Sequence, residues 1–430
     1  MKKFMTLWTG ELISNIGSGM TAFALSVYVY QVTRSAAYVS LVALLAYMPT
    51  ILLNPIGGIF ADRFDRRLMM ICGDFFSALG LVYILISMQT GNKGILPIII
   101  GVTINSVFVS LLDPSYRATI TDLLSEEEYA KASGLVQMAG NAKYLISPAL
   151  AGLILGVADI RVILLLDIGT FLVTLLTISC VRRTIRQDRK VQEPLKLREE
   201  LAVGFQYIRK DKAVASLVWL MAFVCFFMGF VQTLMVPMVL PLGSAKTVGI
   251  MESVSAIGML IGSVVIGVCG IQKHHAKVLV ISLIACGCFM ALIGTSTRLS
   301  IILAFSILFF MAMPFTNTCA DVLIRVRIPN ELQGRVWGMI SLLTQLGSVI
   351  AFATCGLLAD QVFEKLMRKD GILAGSIGRL IGTGEGRGIG LMIILAGISM
   401  IIMAFILGSR NSIQAIQVES GEYELENMEK

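Results

Sequence analysis

Charge is scarce in this chain. Asp, Glu, Lys and Arg make up 15% of its 430 residues, against about 25% in a soluble globular protein. Apolar residues make up 56%, and the mean hydropathy is +0.82. That balance excludes a soluble enzyme, a disordered chain, a collagen and a coiled coil. Histidine is almost missing: only His274 and His275 occur, side by side in a polar loop, so no histidine-based metal site is expected. The eight cysteines lie in apolar segments without a CxxC pair, as small core residues do rather than disulfides or metal ligands. No nucleophile–base arrangement stands out either. No cofactor is expected, and the chain is not read as an enzyme.

What is present is apolar run after apolar run. A membrane helix takes about 20 apolar residues. The runs cover 4–30, 38–61, 68–88, 95–118, 129–157 and 161–181, then 213–240, 248–270, 277–296, 299–324, 332–359 and 389–409. The basic start Met1-Lys2-Lys3 resembles a signal peptide, but the run behind it is too long and holds Glu11 and Asn15. It is read as a retained first helix. The expected fold is therefore an all-α polytopic membrane protein of twelve transmembrane helices. Its expected parts are a six-helix bundle over 1–181, a basic linker over 182–212, a second bundle over 213–409 and a tail over 410–430.

The net charge of +7 would hint at nucleic acid in a soluble protein. Here loop Lys and Arg set orientation instead, and no nucleic-acid partner is expected. Of 35 Lys and Arg, 24 fall in the termini and even-numbered loops and ten in the opposite loops. The positive-inside rule then places both termini in the cytoplasm of a cell membrane. In the linker, Leu197, Leu201, Phe205 and Ile208 form one helical stripe. That fits an amphipathic helix at the inner membrane surface, or a solvated linker whose charge only sets topology. The Glu-rich tail reads as disordered.

The halves echo each other. Asp113 precedes Arg117 by four residues, as Asp321 precedes Arg325, 208 positions later. Gly134 and Gly152 are echoed 204 positions later by Gly338 and Gly356. Six spans separate the echoes, so the repeats share an orientation, as in a transporter of two parallel six-helix repeats with its site between them.

The loop after the second span reads Gly58-Ile59-Phe60-Ala61-Asp62-Arg63-Phe64-Asp65-Arg66-Arg67. It resembles the major facilitator superfamily motif G-x-x-x-D-R/K-x-G-R/K-R/K, with Asp65 in place of the second Gly. The D-R-x-D-R-R form is similar to the macrolide-efflux-like drug:proton antiporter branch, as are residues 113–124, the linker and 382–391. The resemblance implies an inner gate. Asp62 would sit at the amino end of the eleventh helix near 331–335, and Arg66 would pair with Asp113, with Gly58, Arg63, Arg67, Arg117, Asp321 and Arg325 completing the two copies. Ser147, Pro148, Ala151 and Gly152 resemble the antiporter motif G-P-x-x-G-G, which implies exchange rather than simple uptake. A bent packing helix is the plainer reading of that segment.

Ionisable residues inside a span cost roughly 2.5–3.5 kcal/mol near the centre and need a reason. Glu11, Asn15 and Ser18 form one stripe of the first span, and Lys143 lies mid-way along the fifth beside Gln137 and Asn141. Glu11 is the expected proton carrier, with Lys143 biasing it; a static Glu11–Lys143 pair between helices is the alternative. Asp167 is a third proton-coupling candidate. Gln232, Asn317 and Gln345, with Asn15, Gln137 and Asn141, are candidates for hydrogen bonds to substrate. Phe and Met crowd the seventh and tenth spans, which fits core or lipid-facing packing more readily than a repacking pocket. The segment 361–388 is read as a flexible outer loop, or a lid. Its GTGEGRG lacks the spacing of a phosphate-binding loop, so no nucleotide is expected. The expected function is export of small amphiphilic compounds against protons through a lipid bilayer. An endogenous siderophore, lipid or peptide-like cargo, or a non-transporting sensor, is the alternative.

Overall fold

The computed structural model describes the chain except residues 92–93, 125, 183–196, 272–273, 330–331 and 409–430. Within helices, the side chains at 55, 58–59, 61–63, 118, 121–122, 126–127, 130, 181–182, 197–200 and 408 are also outside the description. The described residues form helices and short connections, with no strand among them. The helices are α1 (Lys2–Thr33), α2 (Ala36–Arg63), α3 (Arg66–Gln89), α4 (Leu96–Leu123), α5 (Glu126–Leu145), α6 (Ser147–Leu155) and α7 (Ile160–Arg182). Then come α8 (Leu197–Lys210), α9 (Lys212–Val239), α10 (Ala245–Cys269), α11 (His275–Thr295), α12 (Leu299–Arg327) and α13 (Gln333–Leu358). The short α14 (Glu364–Leu366) and α15 (Ile377–Ile381) precede α16 (Arg387–Gly408).

Among the described residues, eleven helical segments are long and apolar enough to cross a membrane. The remaining span is α5 with α6, which the sequence reads as one run. Its helix breaks at Ile146, two residues before Pro148, whose ring lacks a donor and clashes with the preceding turn. Ser253 Oγ of α10 accepts the Ala149 backbone N–H at 2.9 Å, just past the break. Each run expected to span is thus met by helix, which makes the protein an all-helical, multi-pass membrane protein.

The chain divides into two compact units. The first holds residues 1–193 with 243–253, and the second holds 194–242 with 254–430. In the first, α1 packs on α5, α6 and α7, and α4 on α2 and α3. In the second, α9 packs on α13 and α16, and α12 on α11. Glycines let helices close up inside each unit. A Cβ on Gly57 would meet the Ser110 carbonyl and Pro114 of α4, and one on Gly262 would meet the Met311 carbonyl and Pro314 of α12.

Helix α8 forms over the expected stripe, and Gly204 and Ile208 are set against α13: Ile208 is buried and a Cβ on Gly204 would land on the Arg335 carbonyl. Phe205 of the expected stripe stays exposed. The segment 361–388 is folded, not an open loop. Met367, Ile381 and Leu391 are buried together, with Phe363, Leu373, Ile377 and Ile394 around them. Gly382, Gly384 and Gly386 have φ of 91°, 113° and 80°, a region costly for residues with a Cβ. The glycines of GTGEGRG therefore make a turn. Glu364 accepts the Ile389 N–H at 3.1 Å near the start of α16. Arg387 is 3% exposed and donates to the carbonyls of Ser296 and Gly294 past and at the end of α11.

Candidate coupling site on the first helix

Helix α1 carries the site because two of its faces are cut down to glycine. A Cβ on Gly17 would stand 2.6 Å from Asp167 Oδ1 and 2.7 Å from Thr170 Oγ1 of α7. Gly10, two turns earlier, faces Thr177 in the same way. The spacing of seven on both helices matches an antiparallel crossing in which small residues bring backbones close. On another face, a Cβ on Gly19 would meet Ser147 Oγ at 2.5 Å and the Lys143 carbonyl at 2.8 Å. Ser147 in turn donates to the Ile16 carbonyl at 2.9 Å. Helix α1 is therefore clasped by α7 and by the α5–α6 break.

The clasp gathers polar groups at one level. Asp167 is 1% exposed. Its Oδ1 accepts from Ser18 Oγ at 3.5 Å and Thr170 Oγ1 at 3.3 Å, and Lys143 lies near enough for its charge to act on it. A buried carboxyl with hydroxyl donors and a nearby ammonium can hold either protonation state at limited cost.

Glu11 lies seven residues back along α1 from Ser18, about 10 Å at 1.5 Å per residue. Its Oε1 accepts from Asn15 Nδ2 at 3.0 Å. The charges of Asp113 and Arg117 reach Glu11, and its own reaches Asp74 of α3. The expected meeting of Glu11 with Lys143 is thus replaced by two centres on one stripe: Glu11 with Asn15, and Asp167 with Ser18, Thr170 and Lys143. A further acid, absent from the sequence candidates, lies inside α3: Asp74 is 1% exposed. Its signal was available as a lone Asp inside the third apolar run.

The remaining candidates fall elsewhere. Asp65 accepts the Arg67 N–H at 3.0 Å and caps α3, which accounts for an Asp where the family motif has Gly. Asp113 accepts from Arg117 Nε at 3.0 Å one turn along α4. In the second copy Arg325 stands 5.7 Å over the Trp337 ring, and its charge acts on Asp321. The side chains of Gly58, Asp62 and Arg63, and residue 331, lie outside the described ones, and Arg66 and Arg67 are half-buried. Ser147, Pro148, Ala151 and Gly152 are all buried; a Cβ on Gly152 would meet the Ala245 carbonyl at 2.8 Å at the start of α10. Asn141 is half-buried, Gln137, Gln232 and Asn317 are exposed, and Gln345 Nε2 lies 3.5 Å from Ser341 Oγ. Among the described residues no group of His, Cys, Asp and Glu is placed to hold a metal.

A membrane-spanning, twelve-helix chain with a polar stripe on its first helix has the build of a secondary transporter. The family model described as Major Facilitator Superfamily matches residues 7–352, and the chain belongs to that family. Macrolide efflux protein A of Streptococcus pyogenes is 25% identical over 365 residues, covering 84% of this chain and 90% of that protein. The enterobactin exporter EntS of Shigella flexneri is 19% identical over 355 residues, covering 82% and 84%. The crystal structure of the nucleoside transporter NupG has a TM-score of 0.73 at 13% identity and covers 95% of this chain and 100% of that one. A bacterial homologue of the iron transporter ferroportin, in an inward-facing state, has a TM-score of 0.68 at 15% identity, covering 95% and 99%. At those identities the two structures speak for the fold alone.

Proposed function

We propose that the protein exports small amphiphilic compounds in exchange for protons, by alternating access of its two six-helix halves. The observation that carries this reading is Asp167: a sealed carboxyl inside a span, served by two hydroxyls and acted on by Lys143. Such a group is expensive in a bilayer and is kept where charge is taken up and released. Asp167 binds the transported proton, Lys143 competes with that proton for the carboxylate, and Glu11 with Asn15 forms a second station on the same stripe. The relatives named for macrolide efflux and enterobactin export favour export as the direction. The broken α5–α6 helix, similar to the antiporter motif, favours exchange. Asn141, Gln137, Gln232, Asn317 and Gln345 are the proposed polar contacts for cargo, and the Asp62 and Asp321 regions the proposed inner gate. The proposed setting is the cell membrane, with both termini in the cytoplasm, as loop charge indicates.

The relative named as an enterobactin exporter favours a second reading, export of a secreted metabolite through the same machinery. Proteoliposomes with an internal pH dye and an imposed proton gradient, given a panel of macrolides, cationic dyes and enterobactin, separate the two. A compound that provokes proton movement in wild type and not in Asp167→Asn supports coupling and names the cargo class. Proton movement of equal size in Asp167→Asn would remove Asp167 from the mechanism.

A further inference from the structure

Asp74 sits in an unusual position for an acid. It is 1% exposed, and its Oδ2 has no hydrogen-bond partner among the described residues. Tyr116 of α4 shares that condition: it is 2% exposed and its hydroxyl is without a partner among the described residues. Leu7, Met70, Tyr116 and Ile178 form one buried cluster, so Tyr116 belongs to a core shared with α1, α3 and α7. Glu11 stands one turn beyond Leu7, and Asp74 one turn beyond Met70. Residues four apart share a helix face, and α1 and α3 run in the same sense because α2 alone intervenes. Both carboxyls therefore lie one turn beyond that cluster, on the same side of it.

Charge follows the same geometry. Glu11 is the ionisable group whose charge reaches Asp74, and it reaches Tyr116 too. From α4, Asp113 and Arg117 act on Glu11 and Tyr116 while bound to each other. From α7, Asp167 is engaged by Ser18 and Thr170. The α2 side chains at 62 and 63 lie outside the described ones. Asp74 thus faces another acid. A sealed carboxylate with an unpaired oxygen neutralises rather than stays charged, and two neighbouring carboxylates in low dielectric do not both ionise readily.

We propose that Asp74 is a proton-binding residue, and that Asp74, Glu11 and Tyr116 form a two-carboxyl proton site joining α1, α3 and α4. The proton rests on Oδ2 of Asp74. It passes to the Glu11 carboxylate through the Tyr116 hydroxyl or a water, which leaves Asp74 ionised and Glu11 neutral, so one negative charge is kept throughout. Use of this proton in transport rests on the exchange reading above; its presence does not.

The test is infrared spectroscopy on the full-length protein in lipid vesicles at neutral pH, in water and in deuterated water. Wild type shows a protonated-carboxyl C=O band that moves on deuteration. Asp74→Asn loses one component of it, and Asp74→Glu keeps that component at a displaced frequency. Glu11→Gln changes the pH at which the Asp74 component disappears, as coupled charges require. Unchanged bands in Asp74→Asn would overturn the proposal. So would loss of the component when choline is exchanged for sodium at fixed pH, because the site would then hold a metal cation. Should Asp74→Asn fail to fold, the Asp74→Glu spectrum decides: no displaced component means no proton at this position. Absent cargo-driven proton flux with the band intact would sink the exchange reading and leave this site standing.

Discussion

Replacing Gly17 by Ala puts one methyl group into the Asp167 site without touching any charge. Its carbon would stand 2.6 Å from Asp167 Oδ1 and 2.7 Å from Thr170 Oγ1, where ordinary contact begins at 3.4 Å. Helix α1 and α7 must part by several tenths of an ångström, or Asp167 must leave its two hydroxyl donors. Overpacking of this kind costs about 1–3 kcal/mol. For a unit of this size that corresponds to a fall in Tm of roughly 2–12 °C. Gly140 and Gly169 are also helical, and a Cβ on either meets nothing within 4 Å. There the same substitution gains about 0.4–1 kcal/mol by restricting the unfolded chain. Thermal unfolding of the three variants in one detergent gives a sign test: Gly17→Ala falls, and Gly140→Ala and Gly169→Ala hold or rise. Adding Thr170→Ala to Gly17→Ala removes one of the two clashing groups and recovers part of the loss, so the pair is not additive. A Gly17→Ala protein as stable as wild type would refute the close crossing, and with it the argument that glycine places Asp167 against α1.

Three further outcomes follow from local geometry. Asp65 caps α3 through the Arg67 N–H; Asp65→Ala costs about 1 kcal/mol and Asp65→Gly, the residue of the family motif, only a few tenths, both read by thermal unfolding. At Gly384, φ is 113° and a Cβ meets nothing within 4 Å; Gly384→Ala therefore loses about 1–2 kcal/mol from backbone conformation alone, read as faster proteolysis within 361–388. Burial raises the Tyr207 phenol above its usual range, with Asp211 adding to the effect, while its hydroxyl donates to the Arg327 carbonyl. A raised phenol stabilises docking of α8 at neutral pH and loses that contribution as pH climbs past about 10. Proteolysis at Arg209 and Lys210 then accelerates in wild type, and Tyr207→Phe shows no such pH step.

The spans were legible because hydropathy in a bilayer is a strong, local signal, and loops interrupt it sharply. The α5–α6 break was half-legible: Pro148 marks a bend, but the Ser253 hydroxyl next to it comes from a helix about a hundred residues away. Local hydrophobicity also says little about how helices rotate. A meeting of Lys143 with Glu11 follows from the family resemblance, which brings the first and fifth spans to one cavity; the helix rotation around them depends on Gly10, Gly17 and Gly19, which admit α7 on one side and the broken helix on another. The seven-residue spacing of Gly10 and Gly17, matched by Thr170 and Thr177, is a sequence pattern consistent with that crossing, though the sequence alone does not pair the two helices. Asp74 was overlooked because a lone acid in an apolar run carries no periodicity. The segment 361–388 misled for a related reason. Its glycines read as freedom, whereas three of them take positive φ to close a turn around Met367.

The central claim is that cargo leaves in exchange for protons carried by the acids of α1 and α7. The direct measurement loads proteoliposomes with a transported compound, sets no pH difference, and dilutes them into compound-free buffer containing an ionophore that clamps the membrane potential. Exchange predicts that the lumen acidifies as cargo leaves, and that Asp167→Asn abolishes the acidification. Cargo efflux at the wild-type rate with no change in lumenal pH would contradict the account.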